Sequence, residues 1–196
     1  ERSPEDPESC LVLAVCLAAN QRDQEALPLV EKALEARSNY AEAFVNRSFI
    51  RFRAKHISEA INDAEMALSL KPHLTQVWGL LGSLRYQMKD LPGAIEALRT
   101  AHKNEPNNVG YMTLLGEFLR QENKVGEAIS ILTHATKLAP GNADAWANLG
   151  VAFQQDKKSA DAKAAYEKAL AINPKSAQVL SNLGVNAKDA EDWESS

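Results

Sequence analysis

The sequence has few of the residues that carry enzymatic and metal chemistry. It contains two cysteines and four histidines among 196 residues. No histidine stands three or four positions from another histidine or from a cysteine, so the spacing typical of a metal site is missing. Glycine-rich phosphate loops, nucleophile elbows and paired acids in a marked setting are missing as well. We therefore predict a protein that is not an enzyme and that binds no cofactor or metal.

A basic excess and a long hydrophobic run are also absent. The formal net charge is −4, which argues against a general nucleic-acid binder because such a protein needs a basic stripe. The longest apolar run, residues 11–19, is too short to cross a bilayer, so we expect no membrane insertion. Cys10 and Cys16 would point to different faces of one helix, which predicts no disulfide between them. Two free thiols suit a reducing compartment, and we expect a cytoplasmic protein.

The chain does have a fixed period, since alanine, glycine and proline recur at steps of 34 residues. The series are Ala26, Ala60, Ala94, Ala128 and Ala162; Ala33, Ala67, Ala101, Ala135 and Ala169; Gly82, Gly116, Gly150 and Gly184; and Pro72, Pro106, Pro140 and Pro174. Small residues at a fixed step mark places where two helices approach closely, and the prolines mark where a helix ends. A sustained period of this length is typical of a repeat array rather than of a globular core.

The period divides the chain into units without a gap. We predict a single array over residues 1–196, with repeats 7–40, 41–74, 75–108, 109–142 and 143–176 and a partial repeat at 177–196. Within each unit the apolar positions follow two amphipathic helices, called helix A and helix B. In the fourth unit these helices are expected at residues 110–121 and 125–138. The glycine of helix A is expected to lie against the first periodic alanine of helix B.

The fifth unit carries the motif on which a family assignment depends. It reads Trp146-x-x-Leu149-Gly150-x-x-Phe153, followed by Ala162-x-x-x-Tyr166, Ala169 and Pro174. This pattern closely resembles the tetratricopeptide repeat family, and the resemblance covers essentially the whole chain. It is most similar to bacterial-type arrays and to the superhelix of O-linked N-acetylglucosamine transferase. The resemblance implies an all-α fold, a right-handed superhelical solenoid of antiparallel helix pairs.

Some residues depart from the repeat pattern. Arg47 and Arg51 occupy positions of the second unit where large apolar residues are expected. We predict that Arg47 forms a structural ion pair with Asp63, because a buried charge needs a partner. For Arg51 we expect the stem to lie along apolar surface while the charged head reaches water. Pro28 lies inside helix B of the first unit, which predicts a kinked or loosened helix.

Both ends of the chain match parts of a repeat. Pro4–Pro7 fit a repeat boundary, and residues 177–188 fit a further helix A. A turn into the next helix B is then expected at residues 192–194, or alternatively residues 189–196 form a frayed acidic tail. We expect the chain to be a piece of a longer array.

The resemblance also implies where a ligand would bind. In this family the A helices line a concave surface, and six positions of each A helix tend to face it. Carried onto this sequence, the surface is apolar in the first half and rich in amides in the second. The predicted peptide-binding groove consists of Leu11, Val15, Val45, Asn46, Phe49, Phe52, Arg53, Gln76, Leu80, Tyr86, Gln87, Leu114, Glu117, Gln121, Asn148, Gln155 and Asn182. Exposed aromatics at Phe49 and Phe52 predict a partner site, although packing between adjacent A helices is the alternative.

Two groove chemistries known in this family are matched only in part. The carboxylate clamp of chaperone-binding members is missing, since Asn46 fits its middle asparagine but Leu11, Val15, Gln76 and Leu80 stand at the other positions. The asparagine ladder of the transferase superhelix is matched at Asn46, Asn148 and Asn182 and is interrupted at Val12, Leu80 and Leu114. Capture of an acidic chaperone tail is therefore not expected.

We predict an interaction scaffold or adaptor whose groove binds a peptide or an amphipathic helix of an unidentified protein. A second hypothesis is a substrate-recruiting arm of a larger enzyme, of glycosyl- or sulfotransferase type, whose catalytic domain lies outside this chain. A third is a self-assembling scaffold, because exposed repeat ends can stack on one another.

Overall fold

A computed structural model describes residues 6–194, with side chains as far as Lys188. Pro4 and Glu5, which belong to the predicted repeat boundary at the start of the chain, lie outside the described residues. Within the described range the chain is all-α. Its helices are α1 (Pro7–Ala19), α2 (Asp23–Ala36), α3 (Ala41–Arg53), α4 (Ile57–Leu70), α5 (Thr75–Gln87), α6 (Leu91–Asn104), α7 (Val109–Gln121), α8 (Val125–Leu138), α9 (Ala143–Gln155), α10 (Ser159–Ile172) and α11 (Ala177–Glu194).

The helices are grouped in two compact units, Glu1–Asn104 and Glu105–Ser196. The first unit contains three helical hairpins with α1, α3 and α5 as A helices, and the second contains two hairpins followed by α11. In each hairpin the A helix packs against its own B helix, and within a unit each B helix packs against the next A helix. Each unit is therefore built as an all-α solenoid of helix pairs, as predicted.

The helix boundaries follow the predicted period. Helices α7 and α8 occupy Val109–Gln121 and Val125–Leu138, which confirms the predicted helices of the fourth repeat to within one residue. The B helices α4, α8 and α10 end two residues before Pro72, Pro140 and Pro174. Proline has no backbone N–H and disfavours helical backbone at the residue before it, so it ends each of these helices.

Two tryptophans form hydrogen bonds to the turns that contain the prolines. The indole Nε1 of Trp78 donates a hydrogen bond of 2.9 Å to the carbonyl oxygen of Pro72, and Trp146 donates an equivalent bond of 2.9 Å to Pro140. Each bond joins the first turn of an A helix to the proline two residues beyond the preceding B helix. The aromatic position of the repeat therefore both fills space and satisfies an otherwise unpaired carbonyl.

All ten periodic alanines are completely buried. Complete burial is what their spacing predicts for small side chains between packed helices. A larger side chain at any of them would have to push two helices apart, at a cost of about 1–3 kcal/mol.

The periodic glycines lie against helix B at two residues. A Cβ atom added at Gly82 would lie 3.2 Å from the carbonyl oxygen of Ala94, which is the contact predicted with the first alanine of helix B. It would also lie 2.8 Å from Leu98 Cγ, and one added at Gly150 would lie 2.5 Å from Tyr166 Cε1. The large residue one turn later, at the fourth position after that alanine, reaches across the hairpin and covers the glycine. The glycine makes room for this bulky side chain.

The turn between helix A and helix B has the same backbone in all five hairpins. One residue in each turn adopts left-handed backbone with φ between 59° and 66°, namely Gln21, Lys55, Lys89, Asn123 and Lys157. The N–H of the following residue bonds back to a carbonyl five positions earlier, as from His56 to Arg51 at 2.9 Å and from Lys124 to Leu119 at 2.8 Å. This pairing ends the A helix in a Schellman motif. It is made here without glycine.

Helix α2 continues across Pro28, and Val30 and Ala33 beyond the proline are fully buried. The kink or loosening expected at Pro28 stays a prediction.

The prediction for the end of the chain is corrected by the structure. Helix α11 continues to Glu194, so the turn predicted at residues 192–194 is wrong. No glycine or proline stands between residues 185 and 194 to end this helix.

Candidate functional site

The first unit buries three of the predicted groove residues. Leu11, Val45 and Leu80 are each 6% exposed and belong to one hydrophobic core cluster. This differs from the expectation that they line an open surface. The A helices α1 and α3 contact each other directly, so side chains that point towards the neighbouring A helix are covered by it.

Phe49 and Phe52 are half-buried and pack against the same core cluster. Their packing fits the alternative interpretation of these rings, and each ring still keeps some solvent-facing surface. Beside them Val15 and Tyr86 are 42% and 36% exposed. The first unit therefore offers partly exposed apolar side chains rather than a continuous apolar floor.

The polar groove residues of the first unit are mostly held by the protein itself. The Asn46 amide donates to the carbonyl of Glu42 at 2.7 Å. Arg53 Nε donates to Asp23 Oδ2 at 2.7 Å, and this hydrogen bond raises the pKa of Arg53. Gln76 and Gln87 are exposed. The ion pair of Arg53 with Asp23 therefore connects the end of α3 to the start of α2.

A buried charge cluster occupies the second repeat. Arg47 Nη2 donates to Asp63 Oδ1 at 2.7 Å, which confirms the predicted ion pair. The expectation for Arg51 is wrong, because its Nη1 donates to Asp63 Oδ2 at 2.7 Å and its Nε lies 3.3 Å from Glu59. The Asp63 side chain is only 3% exposed. Two guanidinium groups thus neutralise one buried carboxylate, and both are engaged in a structural role.

The second unit contains a cleft of about 340 Å³ that brings together three predicted residues. We call it the second-unit cleft. Its walls come from α7, α9, the end of α10 and the start of α11. The lining residues are Thr113, Leu114, Glu117, Ala143, Asp144, Ala147, Asn148, Ala169, Asn173, Ser176, Gln178 and Val179. Leu114, Glu117 and Asn148 were predicted from the sequence, whereas Gln121, Gln155 and Asn182 lie outside the lining.

The cleft also contains residues that sequence reasoning missed. Thr113 and Ala147 occupy a groove position of the repeat, so the family rule contains the signal for them. Asn173 and Ser176 come from the turn between α10 and α11. A rule that considers only positions within the A helices cannot identify residues of such a turn.

Amide groups stand beside the carboxylates of Glu117 and Asp144 at the cleft. Gln178 Nε2 donates to Asn182 Oδ1 at 2.9 Å, and Gln121 Nε2 donates to Glu117 Oε1 at 3.2 Å. The half-buried Asn148 amide makes no hydrogen bond to the described residues. An amide group can both donate to and accept from a peptide backbone, which makes the surface suitable for an extended chain of variable sequence.

Tyr166 is buried in the hairpin of α9 and α10, next to the cleft. Burial raises its pKa to about 12, and its hydroxyl donates to Gln154 Oε1 at 2.9 Å. The phenol is therefore neutral over the physiological range and acts as a packing residue. No group of three or more His, Cys, Asp or Glu side chains that would suit a metal ion occurs among the described residues.

Other features of the described chain bear on earlier expectations. Cys10 is buried and Cys16 is exposed, and both are free thiols. None of the helices in residues 6–194 combines the length and the apolar composition needed to cross a membrane.

On α1, Val12 and Leu13 are 64% and 52% exposed. The predicted self-association stays a prediction, and this face of α1 is the surface that it would use.

Helical hairpins repeating every 34 residues within each unit define an α-solenoid repeat protein. Tetratricopeptide repeat profiles match residues 80–133 and residues 143–176, and the second range coincides with the predicted fifth repeat. The chain belongs to the tetratricopeptide repeat family.

Solved structures resemble the chain over most of its length. YrrB, described as a TPR protein with an unusual peptide-binding site, is 25% identical, and the match covers 91% of this chain and 92% of that chain with a TM-score of 0.82. MamA from Desulfovibrio magneticus RS-1 is 15% identical over 87% of this chain and 97% of that chain, with a TM-score of 0.80. PilF of Pseudomonas aeruginosa is 17% identical over 96% and 86% of the two chains, with a TM-score of 0.79. The last two show a shared fold alone. No curated protein sequence matches the chain.

Proposed function

We propose that this protein is a non-enzymatic adaptor that binds a segment of another protein on the A-helix faces of its repeats. The observation that carries the proposal is the second-unit cleft, where Leu114, Glu117 and Asn148 meet in a concavity of about 340 Å³. A concave site with a few convergent polar groups is the usual form of a binding site. The tetratricopeptide repeat fold itself supports a role in protein–protein interaction.

The chemistry of the cleft favours an extended peptide. Asn148 has hydrogen-bonding capacity that the protein leaves unused, and Leu114 and Ala147 supply apolar contact beside it. A neutral hydrogen bond to the backbone of a ligand contributes about 1 kcal/mol. YrrB, a protein of the same repeat architecture, is described as having a peptide-binding site, and this supports the same mode of binding here. The expected cytoplasmic location stays a prediction.

A selection from a random peptide library tests the proposal without knowledge of the natural partner. Peptides displayed on phage would be selected on the purified chain, and a recovered peptide would be labelled for fluorescence anisotropy. Asn148→Ala should weaken its binding about fivefold to tenfold, because one amide contact with the peptide is lost. Lys168→Ala, an exposed change on α10, serves as the matched control and should leave binding unchanged.

The proposal is wrong if no peptide is recovered above background, or if Asn148→Ala and Lys168→Ala affect binding equally. Circular dichroism of each variant separates lost binding from lost fold.

The first unit is tested separately with its aromatic pair. The double variant Phe49→Ala, Phe52→Ala of the full chain should weaken the binding of peptides that were selected on the wild type and that contact the first unit. Because both rings pack against the core, the double variant should also lose roughly 2–4 kcal/mol of stability. Binding is therefore compared per folded molecule. Met66→Ala removes another exposed apolar side chain, 46% exposed on α4, and should not change binding.

A further inference from the structure

Arg120 stands apart from the other arginines near the ends of A helices. It occupies the last turn of α7 and is half-buried. Its Nε is buried and has no hydrogen-bond partner within the described residues. Taking a guanidinium group out of water is costly unless an anion and hydrogen-bond acceptors replace the water.

Three arginines near the ends of A helices in the first unit have carboxylate partners. Arg51 bonds to Asp63, Arg53 bonds to Asp23, and Arg85 lies 3.1 Å from Glu65. No such ion pair is formed by Arg120 in the part of the chain that the structure describes. Its positive charge is therefore the exception in a protein that otherwise pairs these cations.

Neutral polar side chains from α9 and from the turn after α7 lie near Arg120. Gln155 Nε2 donates to the Arg120 carbonyl at 3.5 Å and to Asn123 Oδ1 at 3.3 Å. Tyr166 is close enough that the charge of Arg120 partly offsets the rise in the Tyr166 pKa that burial causes. Tyr166 itself donates to Gln154. These hydrogen bonds do not involve the guanidinium group of Arg120, and no carboxylate of the described residues forms an ion pair with it.

Arg120 also lies on the face of α7 that lines the second-unit cleft. Thr113, Glu117 and Arg120 are spaced four and three residues apart, so they stand above one another on one side of the helix. Glu117 lines the cleft, and its Oε1 accepts a hydrogen bond from Gln121 at 3.2 Å. Arg120 is not itself a lining residue, but it follows Glu117 by about one turn on the same side of α7. A peptide that extends from the cleft along α7 would therefore meet Arg120.

We propose that Arg120 binds the carboxylate of an aspartate or glutamate side chain in the bound peptide. This inference rests on the proposed function and adds a requirement for an acidic residue at one position of the partner. A planar guanidinium suits this role because it can donate two parallel hydrogen bonds to a carboxylate. The site differs from the family's carboxylate clamp, whose residues are missing here.

A charge-reversal selection tests the inference. The random peptide library, joined at its carboxyl end to the phage coat, would be selected in parallel on the wild-type chain and on Arg120→Glu. Peptides from the wild type should be enriched in Asp or Glu at one aligned position, and peptides from Arg120→Glu should carry Lys or Arg there. Lys124→Glu reverses an exposed charge four residues away and should leave the acidic preference unchanged.

The affinity of a recovered acidic peptide then measures the contribution of Arg120. Arg120→Gln should weaken the binding of this peptide about tenfold to hundredfold, as expected when a hydrogen bond to a charged group is lost. The same peptide with its acidic residue changed to the amide should bind the wild type and Arg120→Gln equally.

The outcomes separate the two proposals. If wild-type peptides are recovered and depend on Asn148 but show no acidic position, the inference is overturned while the proposed function stands. If no peptides are recovered from the wild type, the proposed function itself fails. If Arg120 only stabilises the end of α7, its substitution lowers the midpoint of unfolding without altering the charge preference, and this result also overturns the inference.

Discussion

Replacing Gly116 by alanine should destabilise the protein, whereas the same change at Gly184 should stabilise it. Both glycines occupy the same position of the 34-residue repeat, inside an A helix. A Cβ atom added at Gly116 would lie 2.7 Å and 2.9 Å from the two Cδ atoms of Leu132. At Gly184 no atom lies within 4 Å of the added carbon. The two positions therefore separate intrinsic helix propensity from packing.

The magnitudes follow from two opposing terms. Alanine is favoured over glycine inside a helix by about 1 kcal/mol, and this gain applies to both positions. At Gly116 it is opposed by overpacking, which costs about 1–3 kcal/mol. Leu132 is fully buried, so it cannot swing into solvent to relieve the contact. We expect a net loss of about 1–2 kcal/mol at Gly116 and a gain of about 0.5–1 kcal/mol at Gly184.

Urea denaturation followed by circular dichroism measures both effects. A double variant adds a sharper test, since Leu132→Ala removes the atoms that the new carbon would meet. In that background Gly116→Ala should become neutral or stabilising, with a coupling energy of about 1–3 kcal/mol. The reasoning is refuted if Gly116→Ala stabilises the wild type as Gly184→Ala does, or if the change at Leu132 leaves the effect of Gly116→Ala unaltered.

Three further predictions concern the turns, the buried charges and the buried phenol. Lys89→Gly should stabilise the chain by about 1 kcal/mol in thermal unfolding, because glycine adopts left-handed backbone without strain; Lys103→Gly, in the helical last turn of α6, should destabilise it. Asp63→Ala should cost about 3–5 kcal/mol in urea denaturation, because Arg47 loses its carboxylate and Arg51 keeps only the exposed Glu59. Glu59→Gln should cost under about 1 kcal/mol because the Glu59 side chain is exposed. The folded-state pKa of Tyr166 is raised to about 12 from 10.0, so its stabilising contribution is complete below pH 10 and is lost as the pH rises towards 12. This part of the loss of stability at alkaline pH should disappear in Tyr166→Phe. An equal loss in the variant and the wild type would contradict the assignment.

The helices were predictable because their signals are local and repeat. Alanine at the close contacts and proline after each B helix set boundaries that the structure reproduces in α7 and α8. The left-handed turns were not predictable in the same way. Their key positions hold glutamine, lysine and asparagine, and lysine in particular has no preference for this backbone. The bond from the following N–H to a carbonyl five residues earlier holds the conformation, and it becomes visible only when the hairpin is assembled.

The site was harder to predict than the fold, because exposure depends on what lies beside a helix. Val45 and Leu114 both stand on the side of an A helix that the family rule assigns to the groove. Val45 is buried at 6% exposure in the first unit, whereas Leu114 remains half-buried beside an open cleft. Charge is subject to the same dependence on neighbours. Arg53 and Arg120 both lie in the last turn of an A helix, yet Asp23 neutralises the first and no described carboxylate neutralises the second. A family rule identifies positions that face a ligand on average, whereas the unsatisfied group at Arg120 depends on the particular neighbours that this chain places around it. For this reason we expect partner selectivity in this protein to depend more on such exceptions than on the positions that all repeats share.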